Sequence, residues 1–228
     1  MSFGSAALDG LFRGMRKGGT FALTYDEMVP FSAIRLVTIP AVINALNTGK
    51  AAFGVPLPGA SNKEVADMIK PFVSPEAYRN CLAIGSLGTE TDLEPPLYAI
   101  TDSDPKEASA RISELVARVI GKSETRSVLL MESLGTFEAP FATKIDSVVE
   151  EIGARSGAIR GSGTDALMLL IQHDSPIFSR MLAISGRYAR LFTRDRSVVL
   201  IGEKPSTPAY ALDHSPGNPL QAQLTLIV

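Results

Sequence analysis

The chain predicts an α/β fold, a mainly parallel central sheet flanked by helices, with antiparallel strands added at its C-terminal edge. Three observations predict it. Short apolar runs alternate with helical patterns through most of the chain. The tail then holds short strand-like runs with no helix between them. Apolar residues make up 45% of the 228 and charged residues 20%, enough for one large core in a single domain spanning residues 1–228.

The elements follow in order. Residues 20–24, after the Gly18-Gly19 turn, read as a first strand, and 51–55, after Gly49, as a second. Ser61 with Glu64 three positions on forms a capping box. Its helix puts Val65, Met68 and Ile69 on one face and stops before Pro71. Residues 81–84 read as a short buried strand ended by Gly85. Asp104 caps the clearest helix, with Pro105 in its first turn and Gly121 ending it. Ala108, Ile112, Leu115, Val116, Val119 and Ile120 form its apolar stripe. The apolar run 127–131 suits a strand covered on both faces. A helix is expected over 140–152, with Ile145, Val148, Val149 and Ile152 inward. The Gly-rich stretch 158–164 reads as a surface loop, 166–171 as another buried strand, and Ser175-Pro176 as the opening of a short helix. Strands over 188–193, 197–201, 209–212 and 221–228 complete the edge.

Composition excludes several classes. A formal charge of -2, from 22 basic and 24 acidic residues, does not bind nucleic acid by bulk electrostatics. One cysteine, Cys81, excludes a disulfide scaffold. No apolar run reaches the roughly 18–20 residues of a membrane span. No basic region followed by an apolar core opens the chain, so the expectation is a soluble, cytoplasmic protein. The low charged fraction fits a large core or an oligomer equally.

The N-terminal words Leu8-Asp9-Gly10-Leu11, then Gly14, then Lys17-Gly18 before the first strand, resemble the opening of KaiC-like and RadA-like members of the RecA superfamily. The strand order is similar too. The resemblance implies a RecA-like three-layer sandwich and, after the first strand, a P-loop of the form Gly-x4-Gly-Lys-Ser/Thr, whose backbone N–H groups cradle phosphate. Laid over that motif, Tyr25 and Val29 fall in or beside small-residue positions. Pro30 replaces the second Gly, Phe31 replaces the Lys, and Ser32 keeps the hydroxyl. Pro30 has no N–H, Phe31 has no charge, and Asp26 and Glu27 would repel a triphosphate. The stretch after the second strand, Gly54 to Gly59, lacks the family's carboxylate, and Glu132 stands in place of the Walker B Asp. Pro40 should kink or break the helix that follows the loop.

These departures imply a RecA-like, KaiC-like domain that has lost ATP hydrolysis and serves as a binding or regulatory subunit. Its expected partner is another protein or a second copy, and it has no cofactor. One alternative is a nucleotide-binding ATPase or sensor that holds ATP and magnesium through a remodelled site of Ser32, Glu132 and Gln172. Another is a DNA-repair-related RadA paralogue. Arg187, Arg190 and Arg194 belong to five arginines within residues 180–196 and could face nucleic acid or a partner, although a solvated strand face explains them as well. Glu90, Asp92 and Glu94 form an acidic loop before Pro95-Pro96. His173 and His214, each beside an Asp, are too few to predict a metal site. Cys81 reads as a core residue.

Overall fold

The computed structural model describes residues 1–88 and 93–227. Glu90 and Asp92 of the acidic loop lie outside the described residues, and Glu94 is exposed. Among the described residues, ten strands form one sheet: β1 Gly19–Tyr25, β2 Ala51–Val55, β3 Leu82–Leu87, β4 Leu97–Ile100, β5 Val128–Ser133, β6 Ala166–Gln172, β7 Arg187–Arg194, β8 Ser197–Lys204, β9 Ser206–Ser215 and β10 Asn218–Leu226. Their order is β10-β9-β8-β7-β1-β6-β5-β2-β3-β4. The seven strands from β7 to β4 run parallel, and β8, β9 and β10 add antiparallel, as the helix-free tail predicts.

Helices cover both faces because the central strands are apolar on both sides. On one face lie α1 Ala6–Phe12, α2 Phe31–Asn47 and α3 Asn62–Ile69, packed on Phe21, Leu23, Leu129, Met168 and Leu170. On the other lie α5 Pro105–Ile120, α7 Ile145–Ser162 and α8 Phe178–Ile184, packed on Ala22, Phe53, Leu130, Leu167 and Leu169. The short helices α4 Pro75–Asn80 and α6 Leu134–Glu138 complete the set among the described residues. Among the described residues, no helix is long and apolar enough to cross a membrane.

The N-terminal words have a structural job. Asp9 accepts from the Phe3 N–H at 2.8 Å and from the Ser2 hydroxyl, folding residues 1–4 back onto α1. Phe3 then meets Phe12 and Phe21 edge-on or tilted, with centroids 5.0 to 5.8 Å apart. Such pairs contribute about 0.5–1.5 kcal/mol each beyond burial.

The capping residues behave as their chemistry requires. Ser61 accepts from the Glu64 N–H and Asp104 from the Lys106 N–H. Lys144 also pairs with Asp104 at 2.9 Å, and that bond, ahead of the backbone one, holds the Asp104 carboxyl below its ordinary value.

Four expectations are corrected. Pro40 does not break α2, which runs unbroken from Phe31 to Asn47. A proline's fixed φ suits a helix, and the bond it forfeits is offset by the eleven buried residues of this helix. The stretch 158–164 is not a loop: α7 runs to Ser162, because Ser156 and Ile159 continue the buried face begun by Val148 and Ile152. Gly163, at φ 66°, ends it in the left-handed conformation. That same helix begins at Ile145, not residue 140, after a short 3-10 turn over Ala142–Lys144. Finally, β3 starts at Leu82 and continues past Gly85 to Leu87, while Cys81 caps α4 and is half-buried. Gly85 fits inside the strand because a Cβ there would stand 2.7 Å from Ile100 Cδ1.

Candidate functional site

Ligands of open parallel sheets bind at the C-terminal ends of the strands, so the ends of β1, β5 and β6 matter most. β1 ends at Tyr25, paired in register with Gln172, the last residue of β6. The chain then turns through residues 26–30 into α2. The Val29 N–H donates to Asp26 O at 3.0 Å, closing a tight turn. Asp26 N–H donates to Leu191 O at 3.2 Å, and the Thr193 hydroxyl donates to Met28 O, also at 3.2 Å. Arg190 Nη2 donates to both Asp26 oxygens at 3.1 Å. The turn is therefore fastened to β7. Val29 points inward, and Glu27, Met28 and Phe31 are exposed.

Tyr25 is the least expected feature. Its side chain is only 5% exposed. Its hydroxyl is pushed up to about 12, first by burial and then by the negative Glu138 and Asp174. The Ser133 hydroxyl is itself buried and lies outside hydrogen-bonding geometry. Ser175 donates to Glu138. The surroundings of Tyr25 and the turn thus carry four carboxylates, Asp26, Glu27, Glu138 and Asp174, with Arg190 engaged by Asp26. A phosphate placed there would meet mostly like charge.

The predicted residues separate. Ser32 is exposed in the first turn of α2, where it lines a groove with Arg35, Met68, Phe72 and Leu220. Gln172 is half-buried beside Tyr25. Glu132 belongs to the alternate set of β5 side chains, facing α5 and α7 with Leu130, and is 0% exposed. Arg155 Nε lies 2.7 Å from Glu132 Oε1, and its Nη2 donates to Oε2 at 3.1 Å. Its Nη1 donates to Ser109 Oγ at 2.5 Å. Among the described residues, no hydrogen bond joins any two of Ser32, Glu132 and Gln172.

The arginines separate as well. Arg187 lies on the β7 face opposite Arg190 and Arg194, and its Nη1 donates to Phe12 O at 2.7 Å and Gly14 O at 3.0 Å. It anchors the N-terminal segment. Arg190 stacks 5.5 Å from the Phe192 ring centroid, and Arg194 is exposed beside Asp195. The three do not make one cationic surface.

Sequence reasoning missed Arg155. The signal was present: Glu132 interrupts an apolar strand and Arg155 interrupts an inward helix face, and two opposite charges at core positions call for each other. Beyond β2, Pro56, Leu57 and Pro58 line a cleft of about 1110 Å³ bordered by α3 and the β4 end, and Thr136 donates to Pro56 O at 2.5 Å.

No family model matches the chain, and no curated protein matches it in sequence. Among solved structures it is similar to a KaiC-like protein from the hyperthermophilic archaeon Pyrococcus horikoshii OT3. That match has a TM-score of 0.68 and 12% identity, and covers 99% of this chain and 98% of that one. The fold is RecA-like, of the KaiC type. A second similar structure is an uncharacterised protein from Pyrococcus horikoshii in complex with an unknown peptide, with a TM-score of 0.72, 12% identity and full coverage of both chains. At such identity the KaiC-like likeness is one of fold alone.

Proposed function

We propose that this chain is a RecA-like domain that has lost ATP hydrolysis and acts in the cytoplasm as a binding or regulatory subunit for a protein partner. The turn between β1 and α2 carries the reading. In the RecA-like arrangement this turn is where a P-loop would hold phosphate. Here it presents two carboxylates, a proline without an N–H at the head of α2, and an exposed phenylalanine. Glu132, the candidate for the magnesium carboxylate, is sealed by Arg155 on the other side of the sheet. The peptide held by the second Pyrococcus protein supports a protein ligand.

Titration calorimetry with ATP and magnesium, paired with phosphate-release measurements, tests this. The expected result is no saturable heat and no phosphate release. Micromolar binding with measurable hydrolysis would overturn it.

A further inference from the structure

The ten-stranded sheet ends in β10 on one side and in β4 on the other. The two edges differ. β4 spans four residues and β10 spans nine. The Ile227 N–H donates to Ala209 O at 2.9 Å. Antiparallel alternation then turns the main-chain groups of Gln223 and Thr225 toward β9, and those of Ala222, Leu224 and Leu226 outward. Among the described residues, no strand receives these outward groups.

Exposed edges are ordinarily protected by charge, proline or a bulge. The register shift between Asn218 and Ala222 protects only the start of β10. From Ser215 to Val228 there is no Asp, Glu, Lys or Arg. One face of the strand packs Ala222 and Leu224 against the core and leaves Leu226 51% exposed. The other face exposes Gln221, Gln223 and Thr225.

This pattern is self-complementary. In an antiparallel pair related by a twofold axis, each residue faces one from the same short stretch of the other copy. Charged residues there would meet their own sign. Gln and Thr carry both a donor and an acceptor, so each can bond its own kind. Pairing β10 with β4 of another copy would match nine residues with four, leave an edge free at each end, and propagate without closing.

We propose that β10 pairs antiparallel with β10 of a second copy, joining two ten-stranded sheets into one continuous sheet. The pairing is independent of ATP binding, so the calorimetric test can fail while this one succeeds, and the reverse.

Sedimentation velocity of the full chain, from about 1 to 200 µM, tests the pairing, because an interface of strand-pair size is at the small end and the range must reach weak dissociation constants. The expected mass rises from 24.3 kDa toward twice that value. A Gln223→Lys, Thr225→Lys double variant should sediment as monomer throughout, with a circular dichroism spectrum and melting curve that match the wild type's at about 1 µM, where both are monomeric. A Gln223→Glu, Thr225→Glu variant should do the same. An equimolar mixture of the two should regain the dimer. A wild-type chain that stays monomeric at 200 µM overturns the proposal and leaves the edge to a strand of another protein. A dimer that survives the lysines places the contact elsewhere and also overturns it, as does a mixture that remains monomeric.

Discussion

Removing Arg155 tests whether Glu132 is a sealed core carboxylate. The carboxylate is fully buried and its guanidinium partner is 11% exposed, with 2.7 Å between Nε and Oε1. At an effective dielectric of about 20, that separation corresponds to roughly 6 kcal/mol of gross attraction. Desolvation of both ions consumes most of it, so the pair itself contributes little net stability. Breaking the pair is different, because Arg155→Met leaves a charge in the core without compensation. The expected loss is about 3–5 kcal/mol. With a urea m-value of about 2–3 kcal/mol/M for a chain of this size, the unfolding midpoint should fall by roughly 1–2 M. Replacing both partners, Glu132→Leu with Arg155→Met, should recover most of that loss, since two apolar side chains fill the space without an orphan charge. Urea titrations at pH 7 followed by circular dichroism measure all three. A loss under about 1 kcal/mol for Arg155→Met, or no recovery in the double variant, would refute the reasoning. Glu132 would then be in contact with water, within reach of a metal.

Two further outcomes follow from the geometry. Tyr25 ionises near 12 in the folded chain, against an ordinary value of 10.0. Its raised value stabilises the fold fully below pH 10, and that contribution disappears as pH rises from 10 to 12; the limit is about 2–3 kcal/mol at 1.36 kcal/mol per unit. The urea midpoint should fall more steeply over this range in the wild type than in Tyr25→Phe, and equal slopes would place the phenol in solvent. Gly4 sits at φ 70°, and a Cβ there would stand 2.1 Å from Pro40 O. Gly4→Ala should therefore cost about 2–4 kcal/mol, or roughly 5–15 °C in melting temperature, whereas Gly163→Ala, with a similar φ and open space, should cost only about 1–2 kcal/mol. Equal losses at the two glycines would mean that residues 1–4 do not pack on α2.

The sequence carried the sheet because local chemistry sets it. The caps at Ser61 and Asp104, the stripe of α5 and the apolar runs of β5 and β6 act within a few residues of one another. The misreadings arose where packing overrode local preference. Pro40 and the glycines of α7 weaken a helix in isolation, but the buried residues around them hold it. Strand β4, at the end of the sheet, escaped notice because Leu97, Tyr98 and Ala99 are only half-buried and show no clean alternation.

The site divides along the same line. By itself the sequence determined which residue types stand between β1 and α2, and hence that the turn carries carboxylates and a proline where the family resemblance expects a phosphate cradle. It could not determine which face of the sheet each side chain takes, because a shift of one position in a strand reverses that face. Only the tertiary structure decided that Glu132 faces Arg155, that Arg187 reaches the Phe12 and Gly14 carbonyls, and that Tyr25 lies buried among the strand ends. These pairings bring together residues 23 to 175 positions apart in the chain, and their energies depend on burial that exists only once the layers have closed.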